Sequence, residues 1–359
     1  MAASRWKRVQ TLARLLAGHQ VAPDVQTPHV VLFDDPQRTL RRYGSHEQLQ
    51  AARASGKPPI LLVPPLAVPA RCYDLGPGQS AVEYLLSIGR VPYVVDFGDV
   101  GQQHRHVGFE TYFDDIVPQA LDRVLVDYAH SQADIAAWSL GGTVSLLMAA
   151  AHPELPIRSI TAIGTPLDYD AVTPYPLVKQ VMKPVGGVPV TAALSVMGGI
   201  PAPLVRVAYR ALAADRELKK PAYIMRNADD TEALARMQVI DRFQNSMPGY
   251  AGKVSMQMWR NFVYRDELAS GAVDFDGRIV DITTIAKPVQ LFGSHRDAIA
   301  SWQSTHHGVE LLSGSADVHF MTVEASHLGL IAGDAAATQT WPRVAEFLDD
   351  LDDSNQRSV

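Results

Sequence analysis

The sequence predicts an α/β fold: a mainly parallel sheet with helices on both faces, interrupted by an inserted, mostly helical cap. Three observations predict it. From residue 30 to about 166, short apolar or β-branched runs alternate with helix-patterned segments; the alternation then stops; and it resumes at residue 288. Parallel strands need a long crossover between them, usually a helix, so alternation of this kind marks crossover-linked strands.

In the first block the candidate strands are residues 30–33, 40–43, 60–63, 91–97, 134–139 and 157–163. Apolar residues recur at helical spacing in 80–88 and 109–128, and 143–151 is rich in helix formers. Beyond Pro166 the segment 167–285 has helical stretches and no clear strands, which makes it the inserted cap. Strands return at 288–292 and 318–323, followed by a last helix through 344–351. The expected division is an N-terminal amphipathic helix and linker (1–29), a core in two parts (30–166 and 286–352), the cap (167–285) and a tail (353–359). The acid-rich end, from Asp349 onward, is expected to be frayed and solvated.

Composition narrows the class. A chain of 359 residues with 47% hydrophobic and 19% charged residues is globular and far from the balance of disordered sequences. A formal net charge of −6 argues against a nucleic-acid partner. One cysteine, Cys72, excludes an intramolecular disulfide and any multi-cysteine metal site, and it suits a reducing, cytoplasmic compartment. Arg5, Lys7 and Arg8 precede a short apolar run that Arg14 interrupts, a cationic amphipathic helix rather than an export signal. Between Lys183 and Arg206 no charge occurs, a length sufficient to span a bilayer. Pro184, Pro189, Pro201, Pro203 and four glycines would break such a helix repeatedly, so the stretch reads as a mobile apolar flap over an acyl pocket.

The segment Asp134-Ile-Ala-Ala-Trp-Ser-Leu-Gly-Gly-Thr143 carries the chemistry. It reads as a buried strand, a turn of small residues and a helix start, which together form a nucleophile elbow. The sharp turn lifts Ser139 above the carboxyl edge of the sheet, and small neighbours are needed because the strained backbone leaves no room for a β-carbon. Gly141 and Gly142 meet the downstream requirement, while Ala137 stands where a glycine is usual. Ser139 also opens a helix, whose free N–H groups favour developing negative charge.

A serine hydroxyl needs a base, and the base needs an orienting group. Hydrolases with this elbow supply them later in the chain, acid first and then histidine. Asp297 follows the strand at 288–292 within Gly-Ser-His-Arg-Asp, and His327 follows the strand at 318–323 within Glu-Ala-Ser-His-Leu-Gly. Both stand just past strand ends. The oxyanion hole is expected from the N–H of Leu140 and a second main-chain donor in Pro64-Pro65-Leu66-Ala67-Val68, Leu66 first and Ala67 second. His104, His106, His306 and His307 read as solvated loop residues, and Gly76-Pro-Gly78 lacks the context of a phosphate loop. No metal and no cofactor are expected.

The runs Pro64 to Leu75, Ser80 to Ser87 and Val94 to Gly98, with Ala137-Trp-Ser-Leu-Gly-Gly-Thr143, residues 237–281, Ser294-His-Arg-Asp297 and Ser326-His-Leu-Gly329, resemble polyhydroxyalkanoate synthases, closest to the class III catalytic subunit. The resemblance covers roughly residues 40–333. It implies an α/β-hydrolase fold acting on hydroxyacyl groups from coenzyme A thioesters, with Ser139, Asp297 and His327 at the positions of nucleophile, acid and base. The family has cysteine where Ser139 stands, asparagine at Val68 and lysine at Pro69. The leading expectation is therefore a serine hydrolase or acyltransferase acting on fatty-acyl, hydroxyacyl or polyester-like substrates. The competing readings are a polymerase using serine and a non-catalytic lipid- or granule-binding protein. Expected partners are an acyl ester or acyl-coenzyme A, a peripheral lipid or granule surface, and a second copy in a homodimer.

Overall fold

A computed structural model describes residue 21, residues 25–212 and residues 214–357. The amphipathic helix expected in the N-terminal segment lies outside the described residues. Eight strands form the main sheet: β1 (His29–Phe33), β2 (Thr39–Tyr43), β3 (Ile60–Val63), β4 (Pro92–Asp96), β5 (Ala133–Trp138), β6 (Ile157–Ile163), β7 (Val289–Gly293) and β8 (Val318–Thr322). Their spatial order is β1-β2-β4-β3-β5-β6-β7-β8. The β1–β2 and β2–β4 pairings are antiparallel and all others are parallel. Every residue of β3, β5, β6 and β7 is buried, because helices cover both faces of the sheet. The chain runs outward in one direction from β3 to β4 and in the other from β5, so the order reverses between β3 and β5. Ligands of open α/β sheets bind outside the carboxyl ends of strands at such a reversal.

Polar ties under the sheet set the end of the chain. The terminal helix runs over Trp341–Arg357, so residues 353–357 continue a helix and do not form the frayed tail expected from their charge. Buried cations explain the difference. Arg90, with no exposed side-chain surface, donates to Asp349 at 2.8 Å and to Asp352 at 2.6 Å. Arg158 pairs with Asp134 at 2.6 Å and with Asp352, and Ser159 donates to Asp134 at 2.6 Å. Two guanidinium groups out of water need carboxylates, and the acidic run supplies them.

The segment between β6 and β7 is not one cap. Residues 251–285 join the main core: Val254, Phe262, Leu268, Val273, Phe275, Val280 and Ile282 are buried within it. The antiparallel hairpin Ala272–Phe275/Arg278–Asp281, absent from the sequence expectation, sets Phe275 against Phe109 and Phe113 with ring centroids 6.3 and 5.1 Å apart. Its strands have four residues each, too short to show a period. The outer part, by contrast, is a chain of helices with few buried side chains, Tyr175–Met182, Val188–Met197, Ala202–Leu212 and Ala214–Arg226, followed by Thr231–Asn245, which buries Leu234, Met237 and Phe243. The prolines expected to break the uncharged stretch stand at or near helix starts, Pro189 second in Val188–Met197 and Pro203 second in Ala202–Leu212. There the missing N–H has no intrahelical partner to lose. Among the described residues no helix is long and apolar enough to cross a membrane.

Candidate active site

The elbow takes its shape from close packing. Ser139 has φ 53° and ψ −127°, a backbone region that a β-carbon disfavours, at a cost of about 1–3 kcal/mol. Its N–H donates to the Ile163 carbonyl at 2.8 Å, and its own carbonyl accepts from Gly142 N–H at 2.9 Å as the helix Leu140–Ala151 begins. A β-carbon on Gly141 would lie 2.3 Å from the Val63 carbonyl oxygen and 2.7 Å from that of Pro64; one on Gly142 would lie 1.9 Å from Thr165 Oγ1. Glycine at both places lets the helix start touch the end of β3 and the loop after β6. Ala137 is fully buried within β5 and its φ is not positive, so the upstream position tolerates a methyl group here.

The acid and the imidazole meet. His327 Nδ1 lies 2.6 Å from Asp297 Oδ2, and the Asp297 side chain has no exposed surface. The second carboxylate oxygen accepts from the N–H groups of Ile299 at 2.8 Å and Ala300 at 3.0 Å, which hold Asp297 with both oxygens engaged. Ser294 latches the two loops: its hydroxyl donates to the Ala325 carbonyl at 2.7 Å and accepts from Ala325 N–H at 3.1 Å and Arg296 N–H at 3.0 Å. Trp138 packs on the imidazole with centroids 4.9 Å apart. Gly164, with φ 57°, turns the chain past the ring, and a β-carbon there would lie 3.4 Å from His327 Nδ1.

Ser139 and His327 thus converge on the end of β6, the first through its hydrogen bond to Ile163 and the second through its contact with Gly164. His327 Nε2 is buried without a hydrogen-bond partner among the described residues. With Nδ1–H donated to the carboxylate, the Nε2 lone pair is the basic site of the ring. Such an arrangement can take a proton from a hydroxyl, and Ser139, 5% exposed, is the hydroxyl the elbow presents.

The loop after β3 lies against the elbow through Pro64, as the Gly141 contacts require, and continues into Leu66 and Ala67, both buried. Ala67 has φ 59°, the left-handed region that non-glycine residues seldom enter, and Tyr73 Oη donates to the Val63 carbonyl at 2.8 Å to anchor the loop base. Cys72 is fully buried in the turn Ala70–Tyr73, and burial pushes its thiol pKa up, which keeps it neutral and unreactive. The other histidine candidates have structural partners: His104 Nδ1 accepts from Gly101 N–H, His306 stacks on Trp302 and His307 bonds the Ala269 carbonyl.

Two tyrosines escaped the sequence reading. Tyr209, on the helix Ala202–Leu212, has its pKa pushed up to about 12 by burial, and it is close enough to Asp297 to feel its charge. The two phenols are hydrogen-bonded to each other, and burial holds that of Tyr250 well above its ordinary range. Both phenols are therefore neutral at ordinary pH. No spacing rule could have found them, because they stand 41 residues apart in segments that meet only through folding.

No family model matches the chain. The chain is 21% identical over 325 residues to the poly(3-hydroxyalkanoate) polymerase subunit PhaC of Allochromatium vinosum, covering 90% of this chain and 89% of that protein. The PhaC subunit of Haloarcula marismortui is 23% identical over 333 residues, 90% of this chain and 67% of the relative. Among solved structures, the monoacylglycerol lipase of Paleococcus ferrophilus superposes with a TM-score of 0.52 at 16% identity, over 82% of this chain and 96% of that one. The fold is that of the α/β-hydrolases, and the chain is similar to polyhydroxyalkanoate synthases.

Proposed function

We propose that the protein is an enzyme that transfers acyl groups through an acyl-Ser139 intermediate, acting on fatty-acyl, hydroxyacyl or polyester-like esters or thioesters. The observation that carries this reading is the Asp297–His327 pair at 2.6 Å, with Nε2 unpartnered at the end of β6 beside the strained Ser139 elbow. His327 takes the Ser139 proton as the oxygen attacks the acyl carbon, and Asp297 keeps the imidazole in the tautomer that accepts it. The tetrahedral oxyanion is held by the N–H of Leu140 and by one from Leu66 or Ala67. His327 then gives its proton to the leaving oxygen or sulfur. Water or an alcohol, deprotonated by the same imidazole, releases the acyl group and restores Ser139. The buried carboxylate favours the imidazolium that forms twice in the cycle.

Polymerisation is the second reading, favoured by the similarity that spans 90% of the chain to a polymerase subunit. The serine decides against placing it first. A thiol exchanges with thioesters readily, whereas a serine–histidine pair suits oxygen esters and their hydrolysis. A panel of acyl-coenzyme A and acyl-ester substrates, with and without alcohol acceptors and with products identified by mass spectrometry, separates the two. Ser139→Cys extends the test, since a thiolate is expelled from the tetrahedral intermediate more readily than an alkoxide and oxygen-ester turnover should be lost. Chain elongation by the unaltered protein would replace the leading reading with polymerisation. An unaltered protein inert to every ester and thioester would leave only a non-catalytic role.

A further inference from the structure

The helix Ala202–Leu212 buries Val205 alone and turns the rest of its aliphatic residues outward. Leu204, Val207, Ala208, Ala211 and Leu212 recur at the spacing of one helical face, the pattern that normally meets a core. Here that face is in solvent, with Leu204 50%, Val207 62% and Leu212 49% exposed. The inward side carries Val205, 3% exposed, with the half-buried Arg206 and Tyr209. Arg206 donates to the Met247 carbonyl at 3.0 Å, Arg210 to the Asn245 side chain, and Tyr209 meets Tyr250. The preceding helix Val188–Met197 behaves alike, burying Leu194 and leaving Val188 and Val196 in water. Apolar side chains scattered singly over a surface need no explanation, but whole faces on successive helices mark a binding surface.

Charge and composition identify the occupant. No acidic residue occurs between Asp170 and Asp215, while Lys179, Lys183, Arg206 and Arg210 all fall there, in a chain of net charge −6. Lys179 is paired with Asp170 at 2.8 Å. Arg206 and Arg210 bond neutral acceptors, a carbonyl and an amide, so these contacts leave their positive charge in place. A helix is about 10 Å across, so those charges act on a surface touching its far side within about one Debye length. The exposed stripe is aliphatic throughout. Protein partners anchor through Trp, Tyr and Arg seated in pockets, and this stripe offers no such anchor, whereas hydrocarbon demands no matching shape. A two-fold pairing of this face with itself would set like charges opposite each other.

We propose that the outward face of Ala202–Leu212, with the adjoining Val188–Met197, docks the protein on an anionic lipid surface, its aliphatic side chains entering the acyl region and its cations beneath the headgroups. The inference goes beyond the acyl-transfer reading and does not depend on it, because binding needs no turnover.

Cosedimentation of the full-length chain with vesicles of phosphatidylcholine alone, or of equimolar phosphatidylcholine and phosphatidylglycerol, tests it. The protein should pellet with the mixed vesicles, far less with phosphatidylcholine, and less in high salt. Leu204→Glu/Val207→Glu should weaken binding roughly 100-fold, about tenfold for each side chain removed from hydrocarbon. Val126→Glu, at a position 84% exposed on a different helix, should bind as the parent. Circular dichroism checks folding, and Val196→Glu provides an independent lesion should the double variant fail to fold. Absence of binding to both vesicles overturns the proposal, as does unaltered binding by the glutamate variants. So does a dimer, seen by light scattering, that the same variants dissociate, for then a second copy occupies the face.

Discussion

The sheet that holds the acid–histidine pair and the outer helices of the insert obey opposite rules. In β3, β5, β6 and β7 every residue is buried, and the loops at their carboxyl ends are pinned by hydrogen bonds that leave Asp297 and Ser294 no freedom. In the helices between residues 175 and 226 a few side chains, such as Leu194 and Val205, reach the interior, while Leu177, Val196 and Leu218 face water. A site that must hold atoms to a fraction of an ångström is built where packing overdetermines position. A segment with few buried apolar contacts has a low free energy of local opening, whatever its hydropathy.

Substitutions at the pinned end should have the largest effects. Ser139→Ala should abolish labelling by a fluorophosphonate probe, and persistent labelling of the variant would remove Ser139 from the mechanism. His327→Ala should lose labelling nearly as fully. Asp297→Asn should slow it by roughly 10³–10⁴-fold with the fold intact, because the amide favours the wrong tautomer of the imidazole. A rate within tenfold of the parent would make Asp297 a structural cap only.

Beneath the sheet, Asp352→Ala strips a partner from the two cations Arg90 and Arg158 at once. Each keeps another carboxylate, so the expected loss is about 2–3 kcal/mol, below the ~3–5 that follows a buried charge left alone. The urea midpoint measures it. A midpoint equal to the parent's would show that the terminal helix is held by its apolar face, through Val344 and Leu348, and not by its charges.

Hydrogen exchange compares the two regions within one sample. Amides of residues 176–212 should exchange at least ~100-fold faster than those of β5 and β6, reflecting local opening against near-global unfolding. Equal protection would mean the outer helices open only with the sheet.

The smallest effect lies in the inner part of the insert. Asp266, in the left-handed region at φ 53°, accepts from Tyr169 N–H at 3.2 Å, and burial raises its pKa to about 6. The folded state therefore binds this proton more tightly than the unfolded chain does. Its stability falls as pH rises from about 4 to about 6, and the full cost persists above that. Asp266→Asn keeps the acceptor and tolerates the backbone, so the variant should be slightly more stable than the parent at pH 7 and indistinguishable at pH 4. Thermal melts at the two values report the difference, and a variant less stable at pH 7 would show that the charge itself is used.

Much of this was legible in the chain. Strands buried on both faces are short unbroken apolar runs, and all eight were readable to within about two residues at their ends. Gly141 and Gly142 after Ser139 are local necessities of a turn that admits no β-carbon, and Asp297 and His327 stand just past strand ends because a parallel sheet delivers its carboxyl ends to one edge. These features depend on a few neighbouring residues, so sequence carries them. The division of the insert, the fastening of the acidic end and the meeting of Tyr209 with Tyr250 were decided only in three dimensions. Phe275 finds Phe113, Asp352 finds Arg90, and Ala202–Leu212 turns Leu204 and Val207 outward because Val205, Arg206 and Tyr209 meet the rest of the protein. Each outcome depends on which distant groups a segment meets, and periodicity records only that a helix has two faces, not which of them the rest of the protein will cover.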